Sequence, residues 1–243
     1  MLEPLLIESD GNIALLTLNR PEKLNAYTVQ MGEAIVAAFR EIQLDETIRA
    51  VIVTGAGRGF CSGVDLDALK APPESTSPEP RIGEEDFVRL FPQELLDFPK
   101  PVIAAINGPA IGVGVTMTLP FDLRIAAQGA QLGLTFAKLG ILPGLGSTHL
   151  LPRIVGRATA LELVLTGRVI DAEEALRIGL VHRVVAPDEL LSECRATAIA
   201  LADSRPEVLA AAKRALSFGA EASMAEAMAN EQRESARLRK MRS

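Results

Sequence analysis

The sequence predicts an α/β protein, in which strands run into glycine-rich turns and helices, followed by a segment that is helical alone. Residues 50–54 and 101–106 are short, apolar and β-branched, as buried strands are. Each leads into a turn dense in glycine, Gly55 to Gly63 in one case and Asn107 to Gly114 in the other, and then into the start of a helix. Beyond residue 187 only helical patterning remains. The expected division is a core of residues 1–186 and a helical segment of residues 187–243.

In chain order, residues 5–8 and 13–18 read as a hairpin around Asp10-Gly11-Asn12. Asn19-Arg20-Pro21-Glu22 makes a loop, and Thr28 is placed to cap a helix reaching residue 44. Met31, Ile35, Ala38, Phe39 and Ile42 form the core face of that helix. After strand 50–54 and its glycine turn, residues 69–80 carry Pro72, Pro73, Pro78 and Pro80 among Ser, Thr and Glu, and are expected to form a mobile polar loop. Glu84, Glu85 and Asp86 then supply the charged first turn of a helix through residue 96. One of these acids reaches the site only if the loop folds over it.

Strand 101–106 leads through the central turn into two helical turns over 113–119, which Pro120 ends. Asp122, an internal hydrogen-bond acceptor, opens strand 122–126, and 131–134 is a short extended piece. Residues 139–147 form another glycine-rich turn, with Ser147 or Thr148 capping a helix that carries His149. A helix over 158–165 closes at Gly167. Asp171 caps the next one, with Glu174 in capping-box position and Gly179 at its end. Residues 181–185, with a structural His182, form the last strand, and helices over 188–202, 206–218 and 224–240 complete the chain.

Composition narrows the function. The chain has 243 residues, 48% hydrophobic and 23% charged, which is globular. A net charge of −6, no Trp and one Tyr argue against a nucleic-acid partner. Cys61 and Cys194 match no metal spacing and fit a reducing compartment. No apolar run reaches membrane-spanning length, and the N-terminus lacks the basic and apolar regions of a signal peptide, so a soluble cytoplasmic protein is expected.

The two glycine turns hold the chemistry. Gly112 and Gly114 bare the backbone at the start of a helix, where unpaired N–H groups attract negative charge. The third glycine and distal acid of a dinucleotide site are missing, and no G-K-[ST] marks a P-loop. A carboxylate, a phosphate, a charge that develops during reaction, or no ligand at all remain open. The matching turn at Gly55 to Gly63 brings a second set of N–H groups, and two donors aimed at one point make an oxyanion hole.

Six segments in order carry a resemblance: Asn19 to Ala26, Gly59 to Leu66, Lys100 to Gly108, Phe121 to Ala126, Leu139 to Gly144 and Leu165 to Arg168. With them the chain resembles the crotonase superfamily, the enoyl-CoA hydratase/isomerase family, over roughly residues 5 to 220. The resemblance implies a spiral of ββα turns with a C-terminal helical segment, assembled as homotrimers or homohexamers. It implies an acyl-CoA thioester as substrate, with coenzyme A entering as part of it and no further cofactor or metal. The enolate oxyanion would be held by the N–H groups of Val64 and Val113. Lys23, Ala26, Ser62, Gly63, Val64, Asp65, Leu66, Gly112 and Val113 would contact the substrate or its CoA.

The departures from the family fall on its acid/base positions. Hydratases carry one glutamate where Thr116 stands and another where Phe136 stands, and isomerases use a carboxylate where Gly144 stands. General acid/base catalysis is worth on the order of 10² to 10⁴-fold. Neither a hydroxyl nor a phenyl ring titrates usefully near neutral pH, so efficient hydration by the usual pair is not expected. His149 is either a substitute base or a surface or interface histidine; Cys61 is either a nucleophile or a small buried thiol; Asp65 reads as a structural cap. The family commonly continues past residue 243, where this chain stops on Arg237, Arg239, Lys240 and Arg242, either phosphate contacts or a charged helix end. The expected function is thus an acyl-CoA-acting, enoyl-CoA hydratase/isomerase-like enzyme without its glutamate pair. The alternatives are an acyl-CoA-binding protein without catalysis, and a scaffold that uses only the assembly surfaces.

Overall fold

The structure, a computed structural model, describes residues 3–70 and 81–241. Most of the expected polar loop, and Arg242, lie outside the described residues. The chain opens with β1 (Leu5–Asp10) and β2 (Ile13–Leu18), paired antiparallel with Asp10 opposite Ile13. In α1 (Val29–Leu44) the Thr28 hydroxyl accepts from the N–H of Met31 at 3.2 Å, and Met31, Ile35, Ala38, Phe39 and Ile42 are buried as their spacing requires. Then come β3 (Ala50–Gly55) and α2 (Leu66–Lys70).

The single helix expected through residue 96 is two, α3 (Asp86–Arg89) and α4 (Phe91–Asp97). Pro92 has no N–H to carry the ladder across Leu90, so the helix breaks there. β4 (Val102–Ile106) and β5 (Ala110–Ile111) lead to α5 (Val113–Thr116), one turn rather than two. Past it the backbone tightens to i→i+3 bonds, Thr118 N–H to Val115 O at 3.0 Å and Phe121 N–H to Thr118 O at 3.1 Å. The chain continues through β6 (Leu123–Ala127), β7 (Gln131–Gly133) and a 3₁₀ turn at Thr135–Leu139. Next are α6 (Ser147–Val155), α7 (Arg157–Thr166), β8 (Val169–Asp171), α8 (Ala172–Arg177) and β9 (Arg183–Val185). The last three helices are α9 (Leu190–Ala202), α10 (Pro206–Gly219) and α11 (Met224–Lys240).

Six strands form one sheet in the order β1-β2-β3-β4-β6-β9, parallel from β2 onward, and β5-β7-β8 form a smaller one. Strict alternation divides the core. Val51 and Val53 of β3 and Ala104 and Ile106 of β4 face the larger cluster around α1, while Ala50, Ile52, Ile103 and Ala105 face Leu190, Cys194 and Ala198 of α9. Covered on both faces, these strands have no polar side to show, which is why they read as unbroken apolar runs.

Polar groups, buried and half-buried, tie the layers together. Asp122 accepts from the N–H of Val102 at 2.7 Å and from Lys213 of α10 at 2.8 Å, as its expected role as an internal acceptor requires. The buried Arg124 donates to the carbonyls of Leu180, Thr118 and Phe121 at 2.8 to 2.9 Å. Burial pushes its guanidinium down to about 10, still charged at neutral pH. His182 Nδ1 accepts from the Arg124 N–H at 3.1 Å, a structural role. No helix among the described residues is long and apolar enough to cross a membrane.

Candidate active site

The site is built from backbone. Residues 61–64 run between two neighbours, with Cys61 paired to Ala110 and Val64 paired to Tyr27, both in parallel. On one side the Ile111 N–H reaches Cys61 O at 2.8 Å and the Cys61 N–H reaches Pro109 O at 3.0 Å. On the other, the Tyr27 N–H donates to Gly63 O at 2.7 Å and the Asp65 N–H to Tyr27 O at 2.9 Å. These two bonds bracket Val64. Because successive N–H groups of an extended chain alternate sides, Val64 turns its own N–H away from Tyr27, to the side where β5 ends and α5 begins.

There Gly112 adopts φ +55°, a conformation open to glycine, and swings the chain into α5 with the N–H of Val113 at its tip. Gly114 lets α5 lie directly on the neighbouring strand: a Cβ there would sit 2.3 Å from Cys61 O. No group among the described residues accepts a hydrogen bond from the N–H of Val64 or of Val113. Both residues line one cavity of about 170 Å³, together with Gly63, Ile111, Gly112 and Phe136. Ser62, Leu66, Thr135, Leu139 and Ile141 are the other described residues of its wall, and none of these side chains is an acid, a histidine, a cysteine or a lysine.

Val64 and Val113 thus share one largely apolar cavity beside two glycine-rich turns. The family model described as enoyl-CoA hydratase/isomerase matches residues 8–241. The chain belongs to the enoyl-CoA hydratase/isomerase family. It is 40% identical to the 1,2-epoxyphenylacetyl-CoA isomerase of Escherichia coli over 193 residues, which covers 79% of this chain and 73% of that one. It is 38% identical to the short-chain-enoyl-CoA hydratase of Clostridium acetobutylicum over 235 residues, 95% of this chain and 87% of that one. The crystal structure of an enoyl-CoA hydratase from Bacillus anthracis superimposes with a TM-score of 0.88 at 33% identity, covering 96% of this chain and 90% of the other.

The three positions where acid/base groups were expected lie in different surroundings. Phe136 lines the cavity, its ring 3.7 Å from where a Cβ on Gly112 would lie. Thr116 is buried one helical turn beyond Val113, its hydroxyl without a partner among the described residues. Gly144 faces Val88 and is not in the lining. His149 also lies elsewhere: its side chain is 51% exposed, with Nε2 3.5 Å from Glu221. The expected cap before it is also corrected. Gly146, at φ +67°, holds the N-cap position, and Ser147 is buried inside the first turn with no capping bond.

Of the expected substrate contacts, Ser62, Gly63, Val64, Leu66, Gly112 and Val113 do line the cavity. Lys23, Ala26 and Asp65 do not. Lys23 pairs with Asp67 at 3.0 Å, Ala26 O accepts from Arg20 at 2.6 Å, and Asp65 binds Arg20 at 2.9 Å while capping the N–H of Asp67 at 3.1 Å. Burial pushes the Cys61 thiol up to about 12, so it is no thiolate at neutral pH.

The sequence reading missed Glu85. A helix-start charge was expected there, and Glu85 does precede α3, yet it is 2% exposed, and accepts from the Tyr27 hydroxyl at 2.5 Å and the Gly83 N–H at 2.6 Å. Tyr27, stacked on Phe87 with ring centroids 4.9 Å apart, was missed as well. The available signal was that Tyr27 is the chain's one tyrosine and directly follows the Asn25-Ala26 of the matching segment.

Proposed function

We propose that this family member binds an acyl-CoA thioester in the cavity between β5 and the 61–64 segment, and polarises its carbonyl with the N–H groups of Val64 and Val113. The observation that carries this is the pair of backbone donors, without acceptors among the described residues, on the wall of one apolar cavity. Such donors are worth most where water is excluded and charge develops, as on the oxygen of a thioester becoming an enolate. Cavity walls of Ile111, Phe136, Leu139 and Ile141 suit an apolar acyl group. The assembly that goes with this reading is a homotrimer or homohexamer.

Proton transfer is the part that departs from the family. With no titratable side chain among the described residues of the lining, exchange at the α-carbon passes through solvent and lacks the roughly 10² to 10⁴-fold contribution of a general base. His149 is set aside as that base, because it sits on the outer side of α6 beside Glu221. The same apolar lining favours a second reading, a carrier that binds acyl-CoA and turns nothing over.

Calorimetric titration with butyryl-CoA and with free coenzyme A, beside a hydration assay on crotonyl-CoA, tests the proposal. The thioester should bind more tightly than coenzyme A, and crotonyl-CoA hydration should be slower by at least about 10²-fold than for a family member with both glutamates. Equal affinity for the two ligands would remove the thioester from the cavity.

A further inference from the structure

The buried Tyr27–Glu85 pair takes no part in the chemistry above, yet both side chains are withdrawn from water around a polar contact. The tyrosine is also attached at the edge of the candidate site, where residue 27 pairs with Val64. Its backbone makes the two bonds that bracket Val64, at 2.7 Å to Gly63 O and 2.9 Å from the Asp65 N–H. We propose that Tyr27 is a positioning residue for the first oxyanion donor: Glu85 holds the Tyr27 hydroxyl, the tyrosine's backbone holds Gly63 and Asp65, and the Val64 N–H is thereby fixed toward Val113.

Each link is short and stiff. The phenol is clamped on three sides, by Glu85 at its hydroxyl, by Phe87 on its ring and by Gly32 of α1, where a Cβ would come within 2.3 Å of the hydroxyl oxygen. Burial and the Glu85 hydrogen bond both push the phenol's pKa up, so it stays protonated and donates at any working pH. Glu85 is fastened in turn by the Gly83 N–H at 2.6 Å. The segment that enters α3 is therefore joined to the oxyanion turn through one side chain. Positioning to within a fraction of an ångström is what separates a working oxyanion hole from two loose amides.

This inference rests on the proposed role of Val64 and Val113, and acetoacetyl-CoA separates the two claims. When it ionises, the bond to an α-hydrogen breaks, the proton goes to buffer, and the electron pair spreads onto the carbonyl oxygens as an enolate that absorbs in the near ultraviolet. The pH midpoint of this ionisation, measured on saturating protein, reads oxyanion stabilisation directly; butyryl-CoA affinity reads the rest of the site. In the parent protein the midpoint should fall below that of the free ligand.

Tyr27→Phe should raise the bound midpoint by about one pH unit, a tenfold loss, with butyryl-CoA affinity within about twofold of the parent. Glu85→Gln keeps an acceptor but a weaker one, and should raise the midpoint by a smaller step. If the parent does not lower the midpoint, the oxyanion reading fails and the positioning claim falls with it. If the parent does and Tyr27→Phe matches it, only the positioning claim is overturned. Should Tyr27→Phe not fold, Glu85→Gln decides alone: a raised midpoint supports the claim and an unchanged one overturns it.

Discussion

Asn25 shows how much of the site a single side chain can organise. It is fully buried at φ +55°, donates to Ala56 O and Gly59 O at 3.0 and 2.8 Å, and accepts from the Arg20 N–H at 2.8 Å. The left-handed conformation is one that asparagine tolerates better than most residues. Asn25→Ala would leave the Ala56 carbonyl and the Arg20 N–H without partners, at about 1–3 kcal/mol each before relaxation, and Gly59 O with only the 3.3 Å bond from Asn107, so the variant should melt well below the parent in calorimetry. Beside it, the Arg20 hydrogen bond holds the carboxyl of Asp65 below the usual carboxylate range. The folded value lies under the unfolded one, so this stabilisation is complete above about pH 5 and is lost as pH falls through the folded value. Asp65→Asn should cost about 1–3 kcal/mol at neutral pH. The gap to the parent should narrow below about pH 4 in urea denaturation; a gap independent of pH would contradict the assignment. The sequence showed Asn25 as a member of a motif. It did not show the three bonds, because their partners lie 5 to 34 residues away and become neighbours only when the turns close.

Elements were legible where their signal is local. The stripe of α1, the hairpin of β1 and β2, and the short apolar runs of β3 and β4 are each local signals. The breaks were less so: Pro92 divides α3 from α4, and past the single turn of α5 the chain turns tightly, with the carbonyls of Thr118 and Phe121 accepting from Arg124. Glu85 was misread for the same reason. An acid at a helix start is normally solvated, and only the distant Tyr27 withdraws it from water. The glycines of the central turn separate two kinds of constraint. Gly112→Ala meets only ordinary contact with Phe136 at 3.7 Å, so its cost is conformational, about 1–3 kcal/mol. Gly114→Ala drives a methyl to 2.3 Å from Cys61 O and must push α5 off its strand. It should abolish the preference for butyryl-CoA over coenzyme A in calorimetry, whereas a variant that folds and keeps the preference would show that α5 need not touch the strand.

At the scale of the molecule, the twofold use of strand, glycine turn and helix was readable because it repeats, and the family match over residues 8–241 agrees with it. The C-terminal helices were readable as helices but not in their packing. α11 has no buried residue, and Leu216 and Met224, at the ends of α10 and α11, are 76% and 78% exposed. Apolar side chains in these positions fit the proposed homotrimer or homohexamer. Leu216→Glu combined with Met224→Glu should reduce the sedimenting mass toward one chain, while unchanged sedimentation would place the interface elsewhere. The central proposal, that Val64 and Val113 polarise a thioester in a cavity with no base among its described residues, is tested most directly by mass spectrometry of butyryl-CoA after incubation with the protein in D₂O. Deuterium should enter the α-carbon faster than in buffer alone. Butyryl-CoA that binds saturably yet returns unlabelled would contradict the claim and leave the carrier in its place.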